Sequence, residues 1–152
     1  MKPKPILQSQ WLAVLPEARI REAQIMGAVI FRGGMELDVQ RMAKGDRVVF
    51  LAPDGSAPEA PDAPPMPVFC ALAVVTSDAA RMASLHGDTH WLRDASFVEA
   101  ARPVPVLRAL GRLELLPDPS RVPGLMKHAK LPLSAPDLAA IEALMLPGSD
   151  RE

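Results

Sequence analysis

The chain has 152 residues, a formal net charge of −1 at pH 7, 49% hydrophobic residues and 23% charged residues. This composition is typical of one globular domain with a single core, and it excludes a disordered chain and a protein whose whole surface is basic. No apolar run reaches the roughly 18 residues of a membrane span, and no long apolar region follows the basic start of the chain. We therefore expect a cytoplasmic protein that makes no membrane contact. The single cysteine, Cys70, lies in an apolar run and is expected to be a small buried residue.

The first part of the chain predicts a strand, a helix and a second, short strand. Residues 11–14 are apolar and begin with a tryptophan, which favours a strand. Pro16 suits the first position of a helix over residues 17–26, and Gly27 is the expected helix end. The apolar residues 28–31 then predict a short strand.

The centre of the chain predicts a hairpin of two buried strands. Residues 46–52 and 68–75 are apolar runs, and we expect them to be antiparallel neighbours in a sheet. The intervening residues 52–67 contain six prolines, which remove backbone donors, so we expect a mobile loop that buries no apolar area. One or two helical turns are predicted over residues 36–42, before a Gly-Asp turn that leads into the first strand.

Four segments follow with weaker patterns. Residues 79–87 are compatible with a helix or a loop, whereas residues 91–98 predict a strand. Residues 103–111 begin with a proline and end with a glycine, which favours a short helix. Residues 113–116 are expected to form a strand.

The last part of the chain predicts an edge strand and a capped helix. Residues 131–133 include a proline, which is tolerated in an edge strand. Ser134 is the expected cap of the last helix, with Asp137 three residues later as in a capping box. The apolar face of this helix is predicted to consist of Leu138, Ile141, Leu144 and Met145.

The order and spacing of these segments resemble those of the EVE family, within the PUA-like group of small β-barrels. The resembling motifs are a Trp-bearing strand at 11–14, a Met-x-Lys-Gly-Asp turn and strand at 42–51, an apolar strand at 69–75, an aromatic and Arg-Asp segment at 91–94, a proline-opened helix at 103–110, and a basic segment, strand and helix at 127–141. The resemblance implies an α+β, PUA-like fold with a mostly antiparallel twisted sheet or β-barrel flanked by short helices. We therefore predict one domain at 10–147, a flexible leader at 1–9 and a tail at 148–152.

The resemblance also implies a ligand cleft beside the sheet, lined by one or two aromatic rings and rimmed by cations. Trp11 and Trp91 are candidates for a wall that stacks on a base, and the alternative for each is a ring that fills the barrel. Phe31 is a further candidate aromatic residue. The candidates for contact with a phosphate or a base edge are Arg32, Arg93, Lys127 and Lys130, and the alternative for each is a surface cation without a specific contact.

The distribution of charge supports a local anion site. Between Asp118 and Asp137 the sequence has no acidic residue, although the same stretch contains several basic ones. These basic residues are Arg121, Lys127, His128 and Lys130. The alternative is a solvated surface segment with no ligand.

The function that the resemblance implies is a non-catalytic module that binds DNA or RNA and reads a modified base, with no cofactor and no metal. The alternatives are a small nucleotide- or metabolite-binding protein or hydrolase that uses the same cleft, and a subunit that binds a protein partner through its proline-rich loop. Catalytic patterns are weak, because Ser84, His86 and Asp88 are neighbours in sequence whereas a triad is assembled from distant elements. His86 and His90 are four residues apart, but no convincing third ligand for zinc accompanies them.

Overall fold

The computed structural model describes residues 9–30, 40–56, 62–85 and 87–146, and within these ranges the chain has an α+β fold. The strands are β1 Gln10–Val14, β2 Ala28–Val29, β3 Arg47–Gly55, β4 Met66–Val75, β5 Arg81–Leu85, β6 Asp88–Phe97, β7 Val104–Pro105 and β8 Lys130–Leu133. The α-helices are α1 Glu17–Met26, α2 Val122–Leu125 and α3 Ala135–Met145, with 3₁₀ turns at Val106–Ala109 and Pro119–Arg121. None of the helices in the described ranges is long and apolar enough to cross a bilayer.

The strands form one mixed sheet that curls into a half-barrel. Its order is β2-β6-β4-β3-β1-β8, with β5 added beside β6 and β7 beside β4. Most pairs are antiparallel, as predicted, but β1 runs parallel to β3, with Trp11 next to Val48. A parallel pair requires a long crossover connection, and here that connection contains α1 and β2.

Both faces of β3 are buried over residues 48–52, where apolar residues follow one another without alternating with polar ones. One face carries Val49 and Leu51 and packs against α3 and the 3₁₀ turn at Val106–Ala109. The opposite face carries Val48 and Phe50 and packs against Ile20 of α1. The second face is also lined by small side chains, which are Ala13, Ala52, Ala71, Ala73 and Ala95.

The N-terminal predictions for β1 and α1 are confirmed. Helix α1 covers the predicted residues, but Pro16 is its N-cap rather than its first helical residue. Gly27 ends the helix in the left-handed conformation, with φ of 67°, which glycine adopts at little steric cost. The predicted strand at 28–31 is reduced to Ala28–Val29 in the described part, and most of the predicted segment 36–42 lies outside the described residues.

The predicted antiparallel pairing of the two central strands is confirmed, and the strands are longer than expected. β3 continues to Gly55 and β4 begins at Met66, so both ends of the proline-rich segment belong to the sheet. The expectation that this segment buries nothing is wrong, because Ala52 and Gly55 are buried. The register shifts between Ala52 and Gly55, and such an irregularity accommodates Pro53, which has no N–H for the ladder. Residues 57–61 lie outside the described part of the chain.

The middle of the chain contains more strand than the sequence indicated. The ambiguous residues 79–87 include β5, which pairs with the first half of β6. The strand predicted at 91–98 begins three residues earlier, at Asp88. The short helix predicted at 103–111 is wrong in its first half, because Val104–Pro105 pairs with β4 before the 3₁₀ turn begins.

The strand predicted at 113–116 is wrong. These residues form a tight turn that is closed by a single bridge between Leu113 and Leu116. The turn is stabilised by a residue that is distant in sequence. The Asp137 carboxylate accepts hydrogen bonds from the backbone N–H groups of Glu114 and Leu115 at 2.7 and 3.2 Å.

The last helix follows Ser134 as predicted, and β8 begins at Lys130, one residue before the predicted strand. The prediction that Asp137 completes a capping box is wrong, because its carboxylate accepts hydrogen bonds from the N–H groups of Glu114 and Leu115. β8 is an edge strand that pairs with β1, and Pro132 lies within it. The Ser134 hydroxyl accepts a hydrogen bond from the Asp137 backbone N–H at 3.1 Å, as expected of an N-cap. The sequence analysis missed α2 and the 3₁₀ turn before it, which are too short to show a periodic pattern.

Candidate functional site

Trp11 and Lys130 lie together at the edge of the half-barrel. Lys130 is opposite Ala13 in the β1–β8 ladder, two residues along β1 from Trp11 and on the same face. The Lys130 Nζ atom lies 4.8 Å from the centre of the Trp11 ring, within the range of a cation–π interaction. Two residues that the sequence analysis proposed separately are therefore neighbours.

The edge of the Trp11 ring is held by a buried carboxylate. The indole Nε1–H donates a hydrogen bond to Asp46 Oδ2 at 3.0 Å, and the side chain of Asp46 is almost completely buried. Asp46 also accepts hydrogen bonds from the backbone N–H groups of Ser9 at 2.8 Å and Ala43 at 2.9 Å. These three bonds offset the cost of burying the charge. The sequence analysis treated Asp46 as a turn residue only. Its hydrogen bond with the Trp11 indole, 35 residues away in the chain, cannot be identified from a local pattern.

Arg93 is in the core rather than at the surface. Its exposed fraction is 1%, and its guanidinium donates hydrogen bonds to the backbone carbonyls of Met42 and Ser77. Its Nε–H donates to the Ser77 hydroxyl at 3.2 Å. Contact between Arg93 and a phosphate stays a prediction, and it would require these buried bonds to be given up.

Trp91 packs against the same apolar cluster as Trp11. This cluster covers the second face of the sheet and includes Phe50, whose ring stacks on that of Phe97 with 5.4 Å between ring centres. Trp91 is half-buried, and its cross-strand neighbour is the exposed side chain of Met82. Both tryptophans therefore contribute to the core and retain part of their surface.

Lys127 is exposed in a basic turn between α2 and β8, which consists of residues 126–129. The backbone of this turn is tied to β1, because the Val14 N–H donates to the Ala129 carbonyl at 3.1 Å. Ala129 therefore lies beside β1, and Lys127 and His128, both exposed, precede it in the chain. Phe31 and Arg32, the remaining predicted site residues, lie outside the described residues.

Two ionisable groups among the described residues, Cys70 and Asp118, have a shifted pKa. In the described ranges, no group of three or more His, Cys, Asp or Glu side chains is placed to hold a metal ion. Burial, reinforced by the nearby charge of Glu17, raises the pKa of the Cys70 thiol to about 12, so this thiol is a poor nucleophile. The pKa of Asp118 is lowered because its carboxylate accepts hydrogen bonds from the hydroxyl and N–H of Ser120. Asp118 is at the surface and belongs to a local turn.

Two cavities in the described structure are lined by residues outside the predicted site. One, of about 290 Å³, lies between the sheet and α3, where Arg47 and Glu142 form an ion pair at 3.1 Å. The other, of about 170 Å³, lies beside α1 and is lined in part by Cys70, which is only partly buried and not fully buried as the sequence predicted. Their described lining contains none of the predicted site residues.

No protein-family model matches the chain, and no curated protein matches it in sequence. Its fold is similar to that of a hypothetical protein from Leishmania major, with 17% identity, a TM-score of 0.58, and coverage of 90% of this chain and 94% of that one. It is also similar to the NMR structure of Rpa0253 from Rhodopseudomonas palustris, with 13% identity, a TM-score of 0.52, and coverage of 88% and 90%. At these identities the similarity shows the fold alone.

Proposed function

We propose that this protein is a non-catalytic module with an EVE-type, PUA-like fold that binds DNA or RNA and reads a modified base at Trp11. The observation that carries the proposal is the placement of the Lys130 ammonium over the Trp11 ring, at the point where the chain leaves an exposed basic turn. A flat ring next to several cations is the combination that recognises a base together with its phosphate.

The position of Lys130 suggests how a base would enter the site. A base that stacks on the Trp11 ring would occupy the space where the ammonium now lies. The four-carbon stem of lysine is flexible, so the ammonium would move to a phosphate while the base takes its place. Stacking of one base on an aromatic side chain is worth about 1–3 kcal/mol, which is comparable to the cost of taking a base out of its stack.

The limited positive charge predicts modest affinity with discrimination at the base. Net charge is −1, and the basic turn and β8 together contribute Lys127, His128 and Lys130. With two or three phosphates neutralised on a single strand, the slope of log affinity against log salt should be about −1.5 to −2. Affinity from phosphate contacts alone would therefore be low, and the base contact would decide which ligand is retained.

The alternatives use the same surface in different ways. A small nucleotide-binding protein would bind mononucleotides as tightly as oligonucleotides, and a hydrolase would in addition need an acid/base pair in contact with the ligand. Asp46 is the carboxylate in contact with Trp11, and it is buried and accepts three hydrogen bonds. This arrangement favours a structural role for Asp46 over proton transfer.

The test is a titration of plain and modified oligonucleotides, single-stranded and duplex, against the wild-type protein and single variants. Trp11→Ala and Trp91→Ala should each lose about 1–3 kcal/mol of binding free energy if their rings contact the base. Lys127→Ala and Lys130→Ala should weaken binding to all sequences similarly and reduce the salt slope by about 0.7 each if they meet phosphates.

Arg19→Gln is a matched control, because it also removes one exposed positive charge but lies on α1, in an ion pair with Glu22. Its effect on affinity should be small. If no modified oligonucleotide binds better than its plain counterpart, and the tryptophan variants bind like the wild type, base reading is refuted and a protein-binding role becomes the better explanation.

A further inference from the structure

We propose that Asp46 and Arg93 are positioning residues for Trp11, and that they act through the single peptide group between Met42 and Ala43. The Met42 carbonyl accepts a hydrogen bond from the Arg93 guanidinium, and the Ala43 N–H donates one to Asp46 Oδ2. These two backbone groups belong to the same amide. A buried cation and a buried carboxylate therefore bond to opposite ends of one peptide unit.

Asp46 connects this peptide group to the ring that we propose contacts the base. Its Oδ2 atom accepts hydrogen bonds from the Ala43 N–H at 2.9 Å and from the Trp11 Nε1–H at 3.0 Å. The indole N–H is the only polar group of a tryptophan side chain, so this bond is the only hydrogen bond that orients the ring. A change in the Asp46 carboxylate would therefore alter the angle at which Trp11 presents its face.

Arg93 extends the same network to the strand that carries Trp91. In β6, Arg93 follows Trp91 by two residues, so both side chains leave the strand on the same side. Arg93 also donates to the carbonyl of Ser77, in the segment between β4 and β5. Hydrogen bonds in a low-dielectric interior polarise one another, and a cation on the carbonyl strengthens the donor at the other end of the amide. The network thus fixes Trp11 relative to the strand of Trp91.

The role of the Trp11 ring in binding rests on the proposed function. The positioning of that ring by Asp46 and Arg93 does not depend on it. The experiment therefore has one measurement without a ligand and one with it. The first is the hydrogen-exchange rate of the Trp11 Nε1–H, followed by NMR. The second is the affinity for the oligonucleotide that the wild type binds most tightly.

The informative variant is Asp46→Asn, which keeps the size of the side chain but leaves a single acceptor oxygen for three donors. We expect the Trp11 Nε1–H to exchange at least tenfold faster, and oligonucleotide affinity to fall at least fivefold. The double variant Trp11→Ala/Asp46→Asn should bind no more weakly than Trp11→Ala, since Asp46 acts through the ring. Arg93→Lys should show the same changes to a smaller extent, because one ammonium cannot reproduce the fork of the guanidinium.

Asp137→Asn is the matched control. Asp137 is also a buried carboxylate that accepts two backbone N–H bonds, but it joins α3 to the turn at 113–116. It should lower stability without changing the Trp11 signal or the affinity. A general loss of stability would affect both variants, whereas positioning of Trp11 affects only Asp46→Asn.

The outcomes separate the two proposals. If Asp46→Asn changes neither the exchange rate nor the affinity while the wild type binds oligonucleotides, the positioning role is overturned and the proposed function stands. If no oligonucleotide binds but exchange at Trp11 still accelerates in Asp46→Asn and not in Asp137→Asn, the positioning role stands and the proposed function falls. If Asp46→Asn does not fold, the exchange rate of the Trp11 Nε1–H in the wild-type protein is the test. A rate as fast as that of a free indole would overturn the positioning role, and a slower rate would support it.

Discussion

Replacement of Asp137 by alanine should lower the free energy of unfolding by about 3–4 kcal/mol. The Asp137 side chain is 3% exposed, and it accepts hydrogen bonds from the N–H groups of Glu114 at 2.7 Å and Leu115 at 3.2 Å. Hydrogen bonds to a charged group are worth about 1.5–3 kcal/mol each, and the longer bond belongs near the bottom of that range. Alanine supplies no acceptor, so both backbone donors of the turn would lose their partner.

The measurement is urea denaturation followed by circular dichroism. With a slope of about 2 kcal/mol per molar urea, the expected loss moves the midpoint down by about 1.5–2 M. Ser134→Ala is the control, because it removes only the helix cap, which is worth about 1 kcal/mol. If Asp137→Ala costs no more than Ser134→Ala, the carboxylate does not hold the turn and our reasoning about the C-terminal half is wrong.

Two further predictions concern residues away from the proposed site. Because the Cys70 pKa is raised to about 12, its alkylation by iodoacetamide at pH 8 should be about a thousandfold slower than that of an exposed thiol, and an ordinary rate would contradict the raised pKa. Gly55→Ala would place a Cβ atom 2.6 Å from the Cβ of Val68, so thermal denaturation should show a loss of about 1–3 kcal/mol. Gly124→Ala, whose new Cβ has nothing within 4 Å, should be neutral or stabilising, and equal effects of the two glycine variants would contradict the tight fit at Gly55.

The elements that were predicted well are those with a local cause. Helix α1 is preceded by Pro16 and followed by Gly27, and both residues act on the backbone next to them. The hairpin of β3 and β4 was predicted because each strand is a dense apolar run, which requires burial on both faces. The cap at Ser134 was also predicted from a local cause, because the N–H group that bonds to its hydroxyl belongs to Asp137, three residues away.

The errors occur where a distant partner decides the local structure. Residues 113–116 have the composition of a short strand, but they form a turn because the Asp137 carboxylate binds two of their N–H groups. Val104 and Pro105 are in a strand because they lie beside Val68 and Phe69 of β4. A window of neighbouring residues contains no information on either contact.

The candidate site shows the same division. The sequence alone identified Trp11, Lys127 and Lys130 by residue type, as an aromatic residue and cations in a segment without acids. Only the tertiary structure placed the Lys130 ammonium over the Trp11 ring, through the pairing of β1 with β8.

The parallel pairing of β1 with β3 and the bonds of Asp46 and Arg93 were likewise decided only by the fold. The physical reason is that apolar and turn patterns act on the nearest few residues. Which buried donor meets which acceptor is settled only when the whole sheet has curled and each polar group must find a partner inside it.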